Sequence, residues 1–482
     1  MDASIPQVLS LDDVDAWTDS ADVVVAGMGM AGCCAAIDAV GAGADVLVLE
    51  KAGAAGGTTA LAAGQVYLGG GTPTQVATGH NDTVDAMFAY LEAVTPDPDL
   101  DKIRLYCEQS VEHFGWLEAQ GVKFERTYYA GKAVFQPGTE GVMYTGNEKV
   151  WPFRDKAAPA PRGHKVAAPA ETGGREAIRA LTERIEALSA RVQYDTGVVA
   201  LVMDEGRVIG VRTNSFGAVA HVRARRGVVL AAGGYVMNKA MLAQYTPQLS
   251  GGFIELGTPN DDGLGSRLGQ SAGGVPIHMD GAFISAPFYP PGSLLKGIIV
   301  NKHGKRFVAE DSYHGRTGGY VVQQPDRVAY LIIDEPNFGR PEIPLTPFID
   351  GWDTIAELEH GLNLAAGSVQ TTLDEYNKYA ADGDDPEFHK HPDWVAPLEQ
   401  GPWAAFDLTI GKAMYVGFTL GGLTTSIDAE VLDAAGVAIP GLFAAGACAS
   451  NIAQDSTGYS SGTCIGESSF FGRRAGRKAA TA

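Results

Sequence analysis

Cationic residues are scarce in this chain: 36 Lys and Arg stand against 57 Asp and Glu, a net charge of −21 over 482 residues. A field of that sign repels nucleic-acid phosphates and anionic lipid surfaces, so no nucleic-acid partner is expected. Cysteine is equally sparse. Five residues, Cys33, Cys34, Cys107, Cys448 and Cys464, are too few and too scattered for a disulfide framework, and the adjacent pair has no second pair at metal-site spacing. No metal is expected. No stretch reaches about 18 uninterrupted apolar residues, so no membrane span is expected either. Residues 1–22 are acidic and lack the basic start and apolar core of a secretory signal. Together these absences lead to the expectation of a soluble protein in a reducing, cytoplasmic setting.

What is present fits a large α/β protein. A hydrophobic content of 45 % excludes disorder, and at about 150 residues per domain the length suggests two or three domains. Glycine numbers 62, against roughly 34 at an average usage of about 7 %, and it is dispersed, which signals close backbone approaches and tight turns. Helical spacing at Ile103, Cys107, Val111 and Phe114, and again at Ile178, Leu181, Ile185 and Leu188, predicts two core-facing stripes. From Gly197 to Leu230, β-rich stretches alternate with turn residues as in an antiparallel meander, expected at one edge of the main domain. Beyond about residue 275 the chain leaves the glycine-rich pattern until about residue 420, as an inserted domain would.

The run Asp22–Ala26 has the apolar character of a buried parallel strand, Ala31–Val40 has helical composition, and Asp45–Leu49 is again strand-like: a βαβ unit. Gly27, Gly29 and Gly32 form G-x-G-x-x-G directly after the first strand. The first glycine permits the tight turn, the second lets backbone approach a pyrophosphate, and the third lets the helix pack on the strand. Glu50 follows at the end of the next strand, where a carboxylate can accept from an adenosine ribose. A plain tight turn would explain the glycines but not Glu50 at that offset. NAD and FAD proteins share the fingerprint, so it leaves the dinucleotide open.

After Glu50 come Gly56, Gly57, Thr58, Thr59 and then Ala62, Ala63 and Gly64. Further on stand Arg225–Tyr235 (RRGVVLAAGGY), Asn301–Asp311 (NKHGKRFVAED), Tyr376–Asn377 with GDDPEFHK to Lys390, Gly417–Leu423 (GFTLGGL) and Ile439–Gly446 (IPGLFAAG). In this order, over nearly the whole chain, these pieces resemble the fumarate reductase and 3-ketosteroid dehydrogenase flavoprotein superfamily. The resemblance implies FAD and a Rossmann-like, three-layer FAD-binding domain interrupted by an inserted α+β catalytic domain: 1–275 and 421–482 for the first, 276–420 for the second. It places Met30, Ala31, Lys51, Gly57, Thr58, Thr59, Ala63, Gly64, Gly446, Gly462, Thr463 and Ile465 with Gly27, Gly29, Gly32 and Glu50 among the cofactor's contacts. Thr58 and Thr59 are hydroxyl donors or simply turn residues. Attachment is expected to be non-covalent, because the histidine that tethers flavin in some relatives is missing from this segment; the first histidine is His80.

Within the superfamily, dicarboxylate reductases place arginine and histidine around the substrate, because carboxylates demand cationic forks. Their pattern has His before T-M-G-G and an N-R-L-G near the C-terminus. This chain has Phe418 before Thr419–Gly422, and Tyr459-Ser460-Ser461-Gly462 where the arginine motif would lie. Gly458–Gly476, with Glu310–Arg316 (EDSYHGR), is most similar to the 3-ketosteroid Δ4-(5α)-dehydrogenases. By that resemblance Tyr313, Tyr459 and Ser461 are the active-site triplet, with Ser460 in place of a small residue. Tyr459 is expected to donate to the C3 oxygen while Ser461 and Tyr313 relay the C4 proton; Tyr459 as the base is the alternative. The resemblance further implies flavin on the opposite face, to take hydride from C5.

Phe283, Phe288, Tyr289, Tyr128, Tyr129 and Trp151 are candidate pocket liners, none singled out. His389 and His391 lie in a Pro- and Asp-rich loop with no third ligand in sight, and are read as solvated. The expected function is FAD-dependent dehydrogenation of 5α-3-ketosteroids to 4-ene products. Alternatives are Δ1-dehydrogenation, enone or fumarate-type reduction, and a non-catalytic electron carrier. No motif specifies the electron acceptor.

Overall fold

The computed structural model describes residues 3–188, 190–286, 292–341 and 345–482. The predicted βαβ unit is present as β1 (Asp19–Ala26), α1 (Met30–Gly41) and β2 (Val46–Leu49), with β1 and β2 parallel from Val23↔Val46 to Ala26↔Leu49. Each of Val23, Val24, Val25, Leu47 and Val48 is completely buried, which is why these strands read as continuous apolar runs: helices or sheet cover both faces. They sit inside a nine-stranded sheet.

The meander is also present, as strands Gly197–Asp204, Arg207–Ser215 and β3 (Ala218–Leu230). Its last strand does more than edge the domain. The first half of β3 pairs antiparallel with its meander neighbour, while its second half runs parallel to β1 and to β4 (Ala438–Ala444), after a register shift between Ala224 and Gly227. The meander is therefore joined to the centre of the sheet by one long strand.

The last helix, α2 (Thr463–Ala479), packs along α1 almost backbone to backbone. A Cβ on Gly472 would stand 2.4 Å from the Ala31 carbonyl oxygen, and one on Gly476 would stand 2.0 Å from that of Ala35. These two contacts make the helices parallel. The N-terminus of α2 then projects about 13 Å beyond the contact at 1.5 Å per residue, into the loop that carries Tyr459 and Ser461.

Of the two predicted stripes, Ile178, Leu181 and Ile185 are buried as expected. The other breaks. Ile103, Cys107 and Phe114 are buried, but Val111 is 37 % exposed, because the chain forms two helices, Leu100–Glu108 and Ser110–Ala119, and the turn at Gln109 resets the helical phase.

Residues 298–407 form a four-stranded antiparallel sheet, in the order Ile298–Asn301, Ala329–Asp334, Trp403–Asp407, Phe348–Trp352. Helices Ile355–Gly361 and Ser368–Ala380 cover it with Leu358, Val369 and Leu373. A three-stranded sheet, Phe253–Glu255 with Tyr415–Thr419 and Ala282–Ser285, sets Phe283 directly opposite Phe418. No helix among the described residues is long and apolar enough to cross a membrane.

Candidate active site

The glycine fingerprint builds a cradle. Gly27 adopts φ +105°, and a Cβ there would lie 2.4 Å from the Ala231 carbonyl oxygen; a Cβ on Gly32 would lie 1.9 Å from the Gly27 carbonyl oxygen. These two glycines are fixed by the protein's own packing. Gly29 differs: its nearest neighbour would be the Gly56 oxygen at 3.7 Å, and it caps α1 with no side-chain hydrogen bond. A helix N-terminus with an open approach fits a pyrophosphate. Glu50 is buried at the end of β2, its carboxylate accepting the Met28 and Ala52 N–H groups at 2.7 Å each. The dinucleotide end of FAD fits this cradle.

The other residues expected at the cofactor lie on several sides of it. Thr59 Oγ1 accepts the Met30 N–H at 3.3 Å, while the Thr58 hydroxyl donates to Asp261. Gly57 opens the short helix Gly57–Leu61. Lys51 is engaged elsewhere, its ammonium 2.8 Å from Asp262. Ala31 lies against α2, and a Cβ on Gly446 would touch the Ala31 Cβ at 3.0 Å. Ala63 and Gly64 pack on Gly173. Gly462 caps α2, with its carbonyl accepting the Tyr67 N–H; the Thr463 hydroxyl donates to the Ser460 carbonyl, and Ile465 is half-buried against the core. Sequence reasoning missed Asp261, which also accepts the Gly234 and Thr258 N–H groups and so ties the second glycine-rich turn to Thr58.

Tyr313, Tyr459 and Ser461 come together from sequence positions nearly 150 residues apart. Tyr313 immediately precedes the helix His314–Val321, and Tyr459 and Ser461 lie in the loop before α2. The Tyr313 hydroxyl and Ser461 Oγ are 2.6 Å apart. The Tyr459 ring lies 6.5 Å from that of Tyr313, 4.6 Å from Phe283 and 5.8 Å from Phe418. Its hydroxyl receives a long contact, 3.5 Å, from the Cys464 N–H in the first turn of α2. Burial pushes both phenols well above their ordinary range, so they are neutral hydrogen-bond donors at neutral pH. The His314 ring packs at a tilt against that of Tyr313, centroids 4.1 Å apart, and burial lowers His314 to about 3, so it carries no charge.

Two groups of contacts fix the triplet. The Ser461 loop is held by the Thr145 carbonyl, which accepts its N–H at 2.8 Å, and by the Thr145 hydroxyl, which donates to its carbonyl at 2.9 Å. Before Tyr313, buried Arg306 makes paired bonds to Glu310 and to Asp385, and Lys390 lies 3.2 Å from Glu310. Two motifs read separately in the sequence, at 301–311 and 376–390, thus close one ion cluster. Breaking such a cluster from one side leaves an uncompensated buried charge.

Of the candidate liners, Phe283 touches the triplet. Trp151 is exposed and packs at a tilt on His389, centroids 4.3 Å apart, while Tyr128 packs on His80 and Tyr144. His391 lies 3.4 Å from Asp393. Phe288 and Tyr289 lie outside the described residues.

Sequence reasoning also missed Glu467, one turn along α2 from Cys464. Its carboxylate accepts the Ile452 and Ala453 N–H groups at 2.8 and 3.1 Å, and burial raises it to about 7. A carboxyl raised in the folded state stabilises fully below its unfolded value, near 4.5, and loses that contribution as pH rises through 7. Thermal melts of Glu467→Gln should therefore gain on the parent between pH 5 and pH 9. A pH-independent difference would contradict the assignment.

The family model described as "FAD binding domain" matches residues 22–462. The crystal structure of 3-ketosteroid-Δ4-(5α)-dehydrogenase from Rhodococcus jostii RHA1, in complex with 4-androstene-3,17-dione, is 42 % identical with a TM-score of 0.93, over 98 % of this chain and 99 % of that one. A 3-oxo-5-alpha-steroid 4-dehydrogenase of Comamonas testosteroni is 29 % identical over 91 % of this chain and 94 % of its own. The 3-ketosteroid Δ1-dehydrogenase of Sterolibacterium denitrificans shares the fold, with a TM-score of 0.71 at 22 % identity over 96 % of this chain and 100 % of that one.

Proposed function

Because the chain belongs to the FAD-binding oxidoreductase family that includes the 3-ketosteroid Δ4-(5α)-dehydrogenases, we propose that it dehydrogenates 5α-3-ketosteroids to 4-ene-3-ketosteroids. The observation that carries this reading is the 2.6 Å Tyr313–Ser461 hydroxyl pair beside the neutral phenol of Tyr459, among Phe283 and Phe418. A neutral ketone whose enolate develops charge on oxygen needs hydrogen-bond donors there, and a rigid apolar plate needs aromatic walls.

FAD, when bound, supplies the two-electron acceptor for the C5 hydride. This chain's residues do the rest. Tyr459 donates to the C3 oxygen as charge gathers on it, a role that suits a phenol kept protonated by burial. Ser461 receives the C4 proton while its own hydroxyl proton passes to Tyr313, whose phenolic proton is released in turn to solvent, so that Tyr313 stays neutral; the short bond between Ser461 and Tyr313 makes their transfer a movement within one hydrogen bond. Gly27, Gly29, Gly32 and Glu50 hold the dinucleotide, with Met30, Thr59 and Gly446 around the α1 N-terminus. Lys51 joins them only by leaving Asp262. Gly64, Gly462, Thr463 and Ile465 surround the second helix N-terminus, the counterpart for the flavin end.

The same reading assigns residues 1–275 and 421–482 to the FAD-binding domain and 276–420 to an inserted catalytic domain. The pairing of Pro276–Ile277 with Gly422–Leu423 supports it, since the chain leaves and returns side by side. Strand Phe253–Glu255, which pairs with Tyr415–Gly417, is one of the places at which the first part leans on the insert. The cytoplasm is the proposed location.

The direct test is anaerobic mixing of the purified yellow protein with 5α-androstane-3,17-dione while following flavin absorbance. Bleaching with formation of the 4-ene supports the reading, and a 1-ene product would move the chain to the Δ1 enzymes. Attachment is tested separately. With threonines at 58 and 59 and no histidine before His80, acid denaturation should release all the flavin to the supernatant, and flavin left on the precipitated chain would show a covalent bond.

A further inference from the structure

Asn147 is completely buried in the loop that follows the short strand Val142–Met143. Its Oδ1 accepts the Tyr313 backbone N–H at 3.0 Å. Its Nδ2 donates to the Thr457 carbonyl at 3.4 Å, and its own N–H donates to the Tyr90 hydroxyl at 2.8 Å. The Tyr90 hydroxyl in turn lies 2.8 Å from Ser460 Oγ. The side chain thus reaches both sides of the Tyr313–Ser461 pair, the backbone of Tyr313 directly and the 457–461 loop at Thr457, while the residue's own backbone N–H adds a link through Tyr90 to Ser460.

We propose that Asn147 is a positioning residue, holding the Tyr313 hydroxyl within hydrogen-bond reach of Ser461. The inference rests on the reading of that pair as the proton relay. Its physical basis is chain connectivity. Tyr313 and Ser461 stand on segments that approach each other only through tertiary packing, and the Tyr313 N–H precedes its helix, where no intrahelical acceptor is available. A proton transfer that works at 2.6 Å fails once the oxygens separate by about another ångström, so the frame matters as much as the hydroxyls. Asn147 touches neither hydroxyl. It ties the backbone of Tyr313 to the loop that carries Ser461.

The alternative is that Asn147 only satisfies buried polar groups. The two are separated in the FAD-loaded protein with Asn147→Leu, Ser461→Ala and the double variant, reading the rate of flavin reduction by 5α-androstane-3,17-dione and the steroid dissociation constant. We expect Asn147→Leu to slow reduction at least about tenfold with steroid affinity within about threefold, and to slow it by less than about twofold once Ser461 is already Ala, since residues acting as a unit are not additive. Full multiplication of the two losses overturns the proposal, as does an unchanged rate in Asn147→Leu. Should Asn147→Leu not yield a folded holoprotein, Asn147→Asp decides. It keeps the acceptor for Tyr313, and only its protonated form can donate to the Thr457 carbonyl. Its rate deficit against the parent must therefore shrink as pH falls, and a deficit that is constant, or absent, overturns the proposal. A parent protein that the ketone leaves oxidised refutes the reading of the reaction, and the relay with it. A parent that bleaches while Asn147→Leu keeps pace refutes the role of Asn147 alone.

Discussion

Tyr459→Phe should bind FAD normally and yet be reduced by 5α-androstane-3,17-dione about 10² to 10³ times more slowly than the parent, the cost of about 2.7 to 4 kcal/mol typical of one lost donor at a developing oxyanion. The substitution keeps the ring, so its tilted contact with Phe283 at 4.6 Å and its edge contact with Phe418 at 5.8 Å survive. What disappears is one hydroxyl, whose recorded N–H neighbour, that of Cys464, is 3.5 Å away and contributes little to folding. The loss should fall on the rate and leave steroid affinity nearly unchanged, because a carbonyl oxygen attracts a donor far less before charge develops on it. Reduction within about threefold of the parent would make Tyr459 a packing residue. Ser461→Ala should also slow the reaction, through the other end of the site.

How much of this was legible in the sequence depends on whether the signal was local. Gly27, Gly29, Gly32 and Glu50 were readable because a turn, a helix start and a strand end lie within 24 residues and each imposes its own residue type. The boundaries followed, with β1 and β2 matching the predicted runs to within a few residues. Val111 was misread because a repeat of three and four residues continued by chance across the break at Gln109, and no residue there announces the change of helix.

The candidate site itself was legible only through resemblance. Nothing about Tyr313 and Tyr459 distinguishes them from other tyrosines until the fold brings Ser461 to 2.6 Å from one and a sheet pair, Phe283 and Phe418, against the other. The residues that frame them carried no pattern at all. Asn147, Thr145 and Tyr90 act through two or three hydrogen bonds each to segments distant in the chain, and Arg306, Glu310, Asp385 and Lys390 appear as two unrelated charged clusters until the sheet closes them into one. Periodicity records which face is buried; it does not record partners.

The chain should not reduce fumarate, even with the flavin fully reduced by a viologen dye. A dicarboxylate carries two charges into a site that must compensate both, and transferring an unpaired carboxylate from water into a protein interior costs at least several kcal/mol. Among the described residues, the hydrophobic cluster around Tyr459 is made of Phe283, Tyr313, Leu420 and Ala453, with Phe418 and Cys464 at its margin, and the rings of Phe283, Tyr313 and Phe418 contact that of Tyr459. His314, the nearest imidazole in ring contact, is lowered by burial to about 3 and stays neutral at any pH at which the protein would be assayed. Protonating it to receive a carboxylate would cost the same desolvation that depresses it. Phe418 occupies the strand position just before Thr419 and packs at 4.8 Å on Phe283, so the wall facing the phenols is aromatic where a carboxylate site needs a charged fork. Viologen oxidation by fumarate at a rate comparable with ketone-driven flavin reduction would show that a cation reaches this wall, and would remove the basis for preferring a neutral ketone.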